Sequence, residues 1–388
     1  MEIKPKIVVA SFNPWYMDHS AKAYQANGVL RGIFTSVKNN KGIQSDLFHR
    51  CWPFHFLMKP FYVLLDPLSW QQIQFRFLMP VFDRWFKSKK IQDFNIVEAI
   101  AWGAKAPFDF AEKNGALKVI DMPNSYPTIY DGIERREMAL WAKKVKPSVP
   151  EHIIEQVVRD IERADIVLCP SKFVYDSMIQ NGVPIEKCRI NYFGVNTDVF
   201  EPRKKAPSVI RFVCVGSICL RKGHQYLFLA YEKLKMKYPN VELYCIGTVL
   251  TDFDREWKKW KGLVTHQDYI SPAGLSDLYQ ETTAFIMASV EEGFARAIIE
   301  AMAAGLPILA THESGATTLV ENGEEGLIFK SRSEKEIYDA MEKLILNPIM
   351  VEKLGNNAQK RGRVINTWDD YGKRNIDIFK EYLNSKHA

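Results

Sequence analysis

The stretch "TAFIMASVEEGFARAIIEAMAAGLPILAT", residues 283–311, holds a strand, a helix and a second strand in direct succession. Its opening run "TAFIMAS" is short, apolar and suited to a buried strand, while Ala297, Ile298, Ala301, Met302 and Ala304 follow at helical spacing. Gly305 is placed to stop that helix and Pro307 opens the next strand, so the spacing predicts a helix from about Gly293 to Ala304. Two buried strands joined by a crossover helix are the unit of a parallel α/β sheet.

The same alternation extends outward in both directions. "KIVVASF", "FNIVEAI", "ALKVIDM", "DIVLCPS" and "CRINYFGV" read as strands in the first half, and "RFVCVGS", "VELYCIG", "LPILAT" and "GLIFK" in the second. Between them lies "EPRKKAPSVIR", charged and proline-containing, which reads as a linker between two domains. With 388 residues, 47% hydrophobic and 25% charged, each half can bury an ordinary core and disorder is excluded as a class.

Lys and Arg total 52 against 46 Asp and Glu, a net charge of +6, which favours an anionic partner. The basic residues form no concentrated tract, so no nucleic-acid partner is expected. Six cysteines are scattered without metal spacing and several sit in strand runs, as buried thiols of a reducing compartment would. "MEIKPKIVVASF" enters a strand directly, and no uncharged apolar run approaches the roughly 18 residues that span a bilayer. A cytoplasmic location is expected.

The chemistry concentrates where the first strand of the opening stretch ends. The turn "GFAR" leaves unpaired backbone N–H groups at the carboxyl end of a strand, the place where open α/β sheets bind ligands and where phosphate is favoured. Glu292 and Glu300 are eight residues apart, about 12 Å along a helix axis, comparable to the extent of a nucleotide diphosphate sugar. One carboxylate then suits ribose hydroxyls and the other the sugar, with diphosphate between. A Glu inside an Ala/Ile face needs a partner, whereas Glu291 reads as a solvated residue beside the helix start. In "VCVGSICLRKGHQYLF", residues 213–228, a strand ends at Gly216 and Gly223 admits the turn into a helix. Between them Arg221 offers a bidentate fork and Lys222 a point charge for a diphosphate.

"EEGFARAIIEAMAAGLPILAT" resembles the signature of the retaining glycosyltransferases of family 4, with Glu292 and Glu300 in register with that family's two glutamates. "PSKFVYDSMIQNGVPIEKCRINYFGVNTDVF", residues 170–200, is similar to the segment closing the family's N-terminal domain, and "RKG" at Arg221 to Gly223 adds to the likeness, which is strong from about residue 150 onward. The resemblance implies a GT-B architecture: two Rossmann-like domains with parallel sheets facing a central cleft, and a C-terminal helix crossing back to the first domain. The domains are then 1–203 with 367–388, and 204–366. It implies a nucleotide-sugar donor without metal or other cofactor, and a glycan or lipid-linked acceptor. Lys222 and Arg221 would meet the diphosphate, Glu292 the donor sugar and Glu300 the ribose. Gly216, Ser217, Gly293 and the amides of Phe294, Ala295, Arg296 and Ala297 would complete the donor site.

This chain departs from the family at several points. Ser217 stands where Arg is common and Thr318 where Glu is common, and residues 100–150 lack the usual N-domain His. Asp121 and Tyr126 are the candidates for that position, with His19 a further acceptor-side candidate. Asp252 and Asp254 in "TDFDREW" have the spacing of a metal-binding carboxylate pair, but helix capping accounts for them and no metal is expected. No Gly-x-Gly-x-x-Gly or phosphate-loop Gly-Lys-Ser/Thr follows a strand, which disfavours a dehydrogenase and a P-loop nucleotidase. A sugar-nucleotide epimerase or hydrolase, or a non-catalytic membrane-associated protein on the same fold, are the alternatives. Residues 50–88, rich in aromatics and interrupted by Pro53, Pro60, Pro67 and Pro80, allow two readings: short helices packed on the first sheet, or a surface lying on an anionic membrane. The second would make the protein peripheral on the inner face of the membrane.

Overall fold

A computed structural model describes residues 3–12, 16–36, 42–51, 73–142, 145, 147–203, 209–364 and 367–386. The expected linker residues 204–208 and most of the aromatic segment, 52–72, lie outside them.

The first half runs β1 (Ile7–Ser11), α1 (Met17–Ala26), β2 (Leu30–Thr35), β3 (Phe48–Arg50), α2 (Met79–Lys87), β4 (Ile96–Ile100), α3 (Lys105–Lys113), β5 (Leu117–Asp121), α4 (Pro127–Trp141), α5 (Glu151–Arg163), β6 (Ile166–Cys169), α6 (Lys172–Gln180) and β7 (Cys188–Ile190). Its strands pair in parallel in the order β3-β2-β1-β4-β5-β6-β7. Helices cover both faces, so β1, β4 and β6 are buried at every position, as their continuous Val/Ile runs require.

The second half runs β8 (Arg211–Val215), α7 (His224–Lys237), β9 (Glu242–Ile246), α8 (Asp254–Trp260), β10 (Thr265–Gln267), α9 (Pro272–Gln280), β11 (Ala284–Met287), α10 (Arg296–Ala303), β12 (Ile308–Thr311), β13 (Gly326–Phe329), α11 (Glu334–Ile345) and α12 (Pro348–Val364). This sheet is parallel too, in the order β10-β9-β8-β11-β12-β13. The chain order therefore reverses between β1 and β4 in one sheet and between β8 and β11 in the other. Such switch points open a crevice at the carboxyl ends of the strands.

The last helix, α13 (Trp368–Ser385), starts at a capping box between Thr367 and Asp370 and packs on α1 of the first half. Polar side chains fix its register. The Tyr371 hydroxyl donates to Asp121 at 2.7 Å, and the Asn375 amide donates to the Tyr24 hydroxyl at 2.8 Å.

Of the aromatic segment, Gln74–Leu78 forms a π-helical turn that continues into α2. Phe75, Leu78, Phe82 and Phe86 make its buried stripe, while Phe77 (58% exposed) and Val81 face outward beside the exposed Arg76, Arg84 and Lys87. All six cysteines are buried free thiols. Among the described residues no helix is long and apolar enough to cross a membrane.

Candidate active site

Two loops meet at the switch point of the second sheet. The β8–α7 loop turns through Gly223, whose φ of +70° and close approach to the Ala288 carbonyl, where an added Cβ would lie 1.9 Å from the oxygen, leave room only for glycine. The β11–α10 loop is zipped onto it: the amides of Val290 and Glu291 donate to the Arg221 carbonyl at 2.9 and 3.3 Å. Adjacent strands thereby deliver two cations and two carboxylates to one spot.

Lys222 Nζ lies 2.8 Å from Glu292 Oε2. Arg221 Nη1 donates to the same oxygen at 3.3 Å, to the Glu291 carboxylate at 3.1 Å and to the Glu291 carbonyl at 2.8 Å. Burial alone would raise the Glu292 pKa, but the charges of Lys222 and Arg221 outweigh it and hold it down to about 2. Glu292 is therefore a fixed anion, while Arg221 Nε and Nη2 have no protein partner among the described residues.

Glu291 is fully buried, which corrects the expectation that it sits in solvent. Its carboxylate reaches across to the loop after β5, accepting from the Ser125 amide at 3.0 Å, the Ser125 hydroxyl at 3.1 Å and the Asn124 amide at 3.3 Å. Gly293 is at the same seam: a Cβ there would lie 1.7 Å from the Pro123 carbonyl oxygen. The two halves of the chain thus touch backbone to backbone at the site.

That contact also shifts the helix start. Residues 293–295 are not helical, and α10 begins at Arg296 with Ala295, in extended backbone, as its N-cap. Glu292 is therefore off the helix and Glu300 on it, so a separation along one helix axis does not describe the pair. The Ala295 amide is already committed to the Ser314 carbonyl at 3.2 Å. The Phe294 ring packs edge-on to Phe193 at 5.7 Å. Arg296 is exposed, Ala297 and Glu300 are half-buried, and Glu300 lies one turn beyond Arg296. Burial raises the Glu300 pKa, with Arg296 opposing.

In the β8–α7 loop, the Gly216 amide donates to Ile246, Lys222 Nζ packs over Gly216, and Ser217 is half-buried beside them. Asp252 accepts from the Leu220 amide at 3.0 Å, so it braces the loop rather than capping a helix. Among the described residues no cluster of three potential metal ligands occurs. Thr318 accepts from the Lys172 amide at 2.9 Å, a further link between the halves.

Each of the three acceptor-side candidates is engaged within the fold. Asp121 is buried and its two oxygens are taken by Tyr16 at 2.8 Å and Tyr371 at 2.7 Å. Tyr126 packs in a core cluster with Phe108 and Val157. His19 is stacked on Trp368 at 4.4 Å. Among the described N-domain residues, Asn124 and Ser125 reach the site by hydrogen bonds to Glu291, and neither was among the expected site residues. Their adjacency to Asp121 at a strand end was the available signal.

Residues 196–361 match the family described as Glycosyl transferases group 1, a range that contains the whole second sheet. The capsular polysaccharide biosynthesis glycosyltransferase CapM of Staphylococcus aureus is 31% identical over 150 residues, 38% of this chain and 40% of that one. The chain spans 40%, 44% and 55% of the length of three curated relatives that it matches. In structure, sucrose-phosphate synthase from Thermosynechococcus elongatus superposes with a TM-score of 0.75 at 17% identity, covering 98% of this chain and 100% of the other. HepE from Anabaena, in complex with UDP and glucose, gives 0.65 at 16% identity, with 97% and 99% covered. The fold is GT-B: two Rossmann-like α/β domains.

Proposed function

We propose that this chain, whose second domain matches the group 1 glycosyltransferases, moves a sugar from a nucleotide diphosphate sugar to an acceptor hydroxyl with retention of configuration. The observation that carries the reading is the Lys222–Glu292–Arg221 cluster at the switch point between β8 and β11. As the diphosphate departs, negative charge grows on its oxygens. Lys222 and the Arg221 donors with no protein partner stabilise it, and Glu292 orients the sugar while holding both cations. Glu300 takes the ribose. The two cations supply the charge that a divalent metal supplies elsewhere, so no metal is required.

The acceptor proposed is a glycan or lipid-linked intermediate of polysaccharide, lipopolysaccharide or glycolipid synthesis, a reading supported by the likeness to a capsular polysaccharide enzyme. The outward face of the helix at 74–87, apolar at Phe77 and Val81 and cationic at Arg76, Arg84 and Lys87, suits the anionic inner face of a membrane from the cytoplasmic side.

The test is incubation with UDP-, GDP- and ADP-sugars, with and without chelator, followed by product analysis. Transfer with retained anomeric configuration, undiminished by chelator, is expected. Release of free sugar or an epimer replaces the reading with hydrolase or epimerase, and tight binding without turnover replaces it with a binding protein. Co-sedimentation with anionic liposomes checks the membrane face, since a protein left in the supernatant does not use it.

A further inference from the structure

Glu291 lies outside the pair that contacts substrate in the proposed reaction, yet it is the most buried acid of the site. A carboxylate at 0% exposure must have donors on nearly every lone pair, and here they come from both halves of the chain. Oxygen Oε1 takes the Ser125 amide and hydroxyl, and Oε2 takes the Asn124 amide and Arg221 Nη1. If the halves part, three of these four donors leave with the β5–α4 loop. Glu291 is then bared to water with Arg221 as its remaining partner among them, and the hold on the guanidinium changes. The seam has little slack, since Gly293 meets Pro123 at a distance that excludes even a methyl group.

We propose that Glu291 is a positioning residue that couples closure of the two domains to the orientation of Arg221: docking of Asn124 and Ser125 on its carboxylate fixes the guanidinium beside Glu292 and Lys222. Closure and the setting of the Arg221 guanidinium are thereby linked through one side chain, while the bonds of Lys222 and Arg221 to Glu292 lie within the second half. The contact at Glu137, where Arg332 donates at 2.6 Å and Gln225 and Tyr226 at 2.9 and 2.8 Å, joins the same halves without a hydrogen bond to Arg221 itself, and Gln225 also donates to the Leu220 carbonyl at 3.0 Å. It serves as an internal comparison. The proposal rests on reading this cleft as the donor site, and its test separates the two.

The experiment compares Glu291→Gln, the double variant Asn124→Ala/Ser125→Ala, the combination of all three, and Glu137→Gln. Solution X-ray scattering follows closure, calorimetry with UDP, GDP and ADP follows nucleotide affinity, and steady-state kinetics give kcat and KM. Expected are a larger radius of gyration for Glu291→Gln and for the double variant, kcat about 30-fold lower with KM for the donor changed less than about threefold, and a combined variant no worse than either parent. Glu137→Gln is expected to open the chain with a kcat loss at least fivefold smaller. Additive losses, or unchanged scattering in folded Glu291→Gln, overturn the coupling. If the wild type transfers no sugar, the function reading fails alone, because scattering still reports whether Glu291 and the Asn124–Ser125 loop act as one unit.

Discussion

Each sheet places buried acids near the carboxyl ends of its strands, and the two clusters are built on opposite principles. Glu292 is held between Lys222 and Arg221, which bring its pKa to about 2 against the cost of burial. Asp121 is held by two tyrosine hydroxyls, and there burial prevails, raising it to about 6. Neighbouring Glu98, fully buried on β4 beside the Tyr24 hydroxyl, is pushed up to about 8 by burial and then by repulsion from Asp121. Neutral hydroxyls satisfy hydrogen bonds without compensating charge; cations do both. The Asp121 cluster is therefore suited to sewing α13 onto its domain, and the Glu292 cluster to meeting an anion.

That contrast is breakable at named residues. The largest effect is expected from Lys222→Ala, which on the proposed reading removes a charge facing the departing diphosphate: kcat should fall about 100- to 1000-fold in a chain that still folds, with a lowered melting temperature because Glu292 loses one of its two compensating cations. Near-normal turnover would mean that the cationic cluster is structural, like its counterpart. Glu300→Ala should weaken nucleotide affinity about tenfold in calorimetry, in keeping with one lost charge-assisted contact. Equal affinities would remove the ribose role.

The smallest effect sharpens the other side. Because the folded-state pKa of Glu98 is raised above the usual carboxylate value, its contribution to stability is fully present below about pH 4 and is lost as pH rises through about 8. Glu98→Gln, which keeps shape and removes the titration, should match wild type at pH 5 and melt a few degrees higher at pH 9. Parallel curves at all pH values would show that Glu98 does not titrate in this window.

Most of the architecture was legible because buried parallel strands write themselves as continuous Val/Ile runs. The strands that escaped notice are those where that rule weakens: β3 and β10 are short and polar at the sheet edges, and β2 carries Arg31 and Gly32. At the site, local patterns gave Lys222, Arg221 and Glu292, since one loop or one turn determines each. Glu291 was misread because its donors on Ser125 are 166 positions away. The helix start at Arg296 rather than Gly293 has the same origin, a contact with Pro123 that no local window contains. Asp121 looked available because the tyrosines that occupy it come from α13 and the segment before α1, near opposite ends of the chain.

The ring of Phe294 packs edge-on against Phe193, which in turn lies 5.9 Å from Trp368, itself stacked on His19. The loop that would carry the donor is thus wired by aromatic contact to an indole at the crossing point of the chain. Any motion that swings the loop changes what surrounds Trp368. The protein consequently contains its own optical reporter: the emission of Trp368, isolated by subtracting a Trp368→Phe variant, would register movement of that loop on adding a nucleotide, without an attached dye.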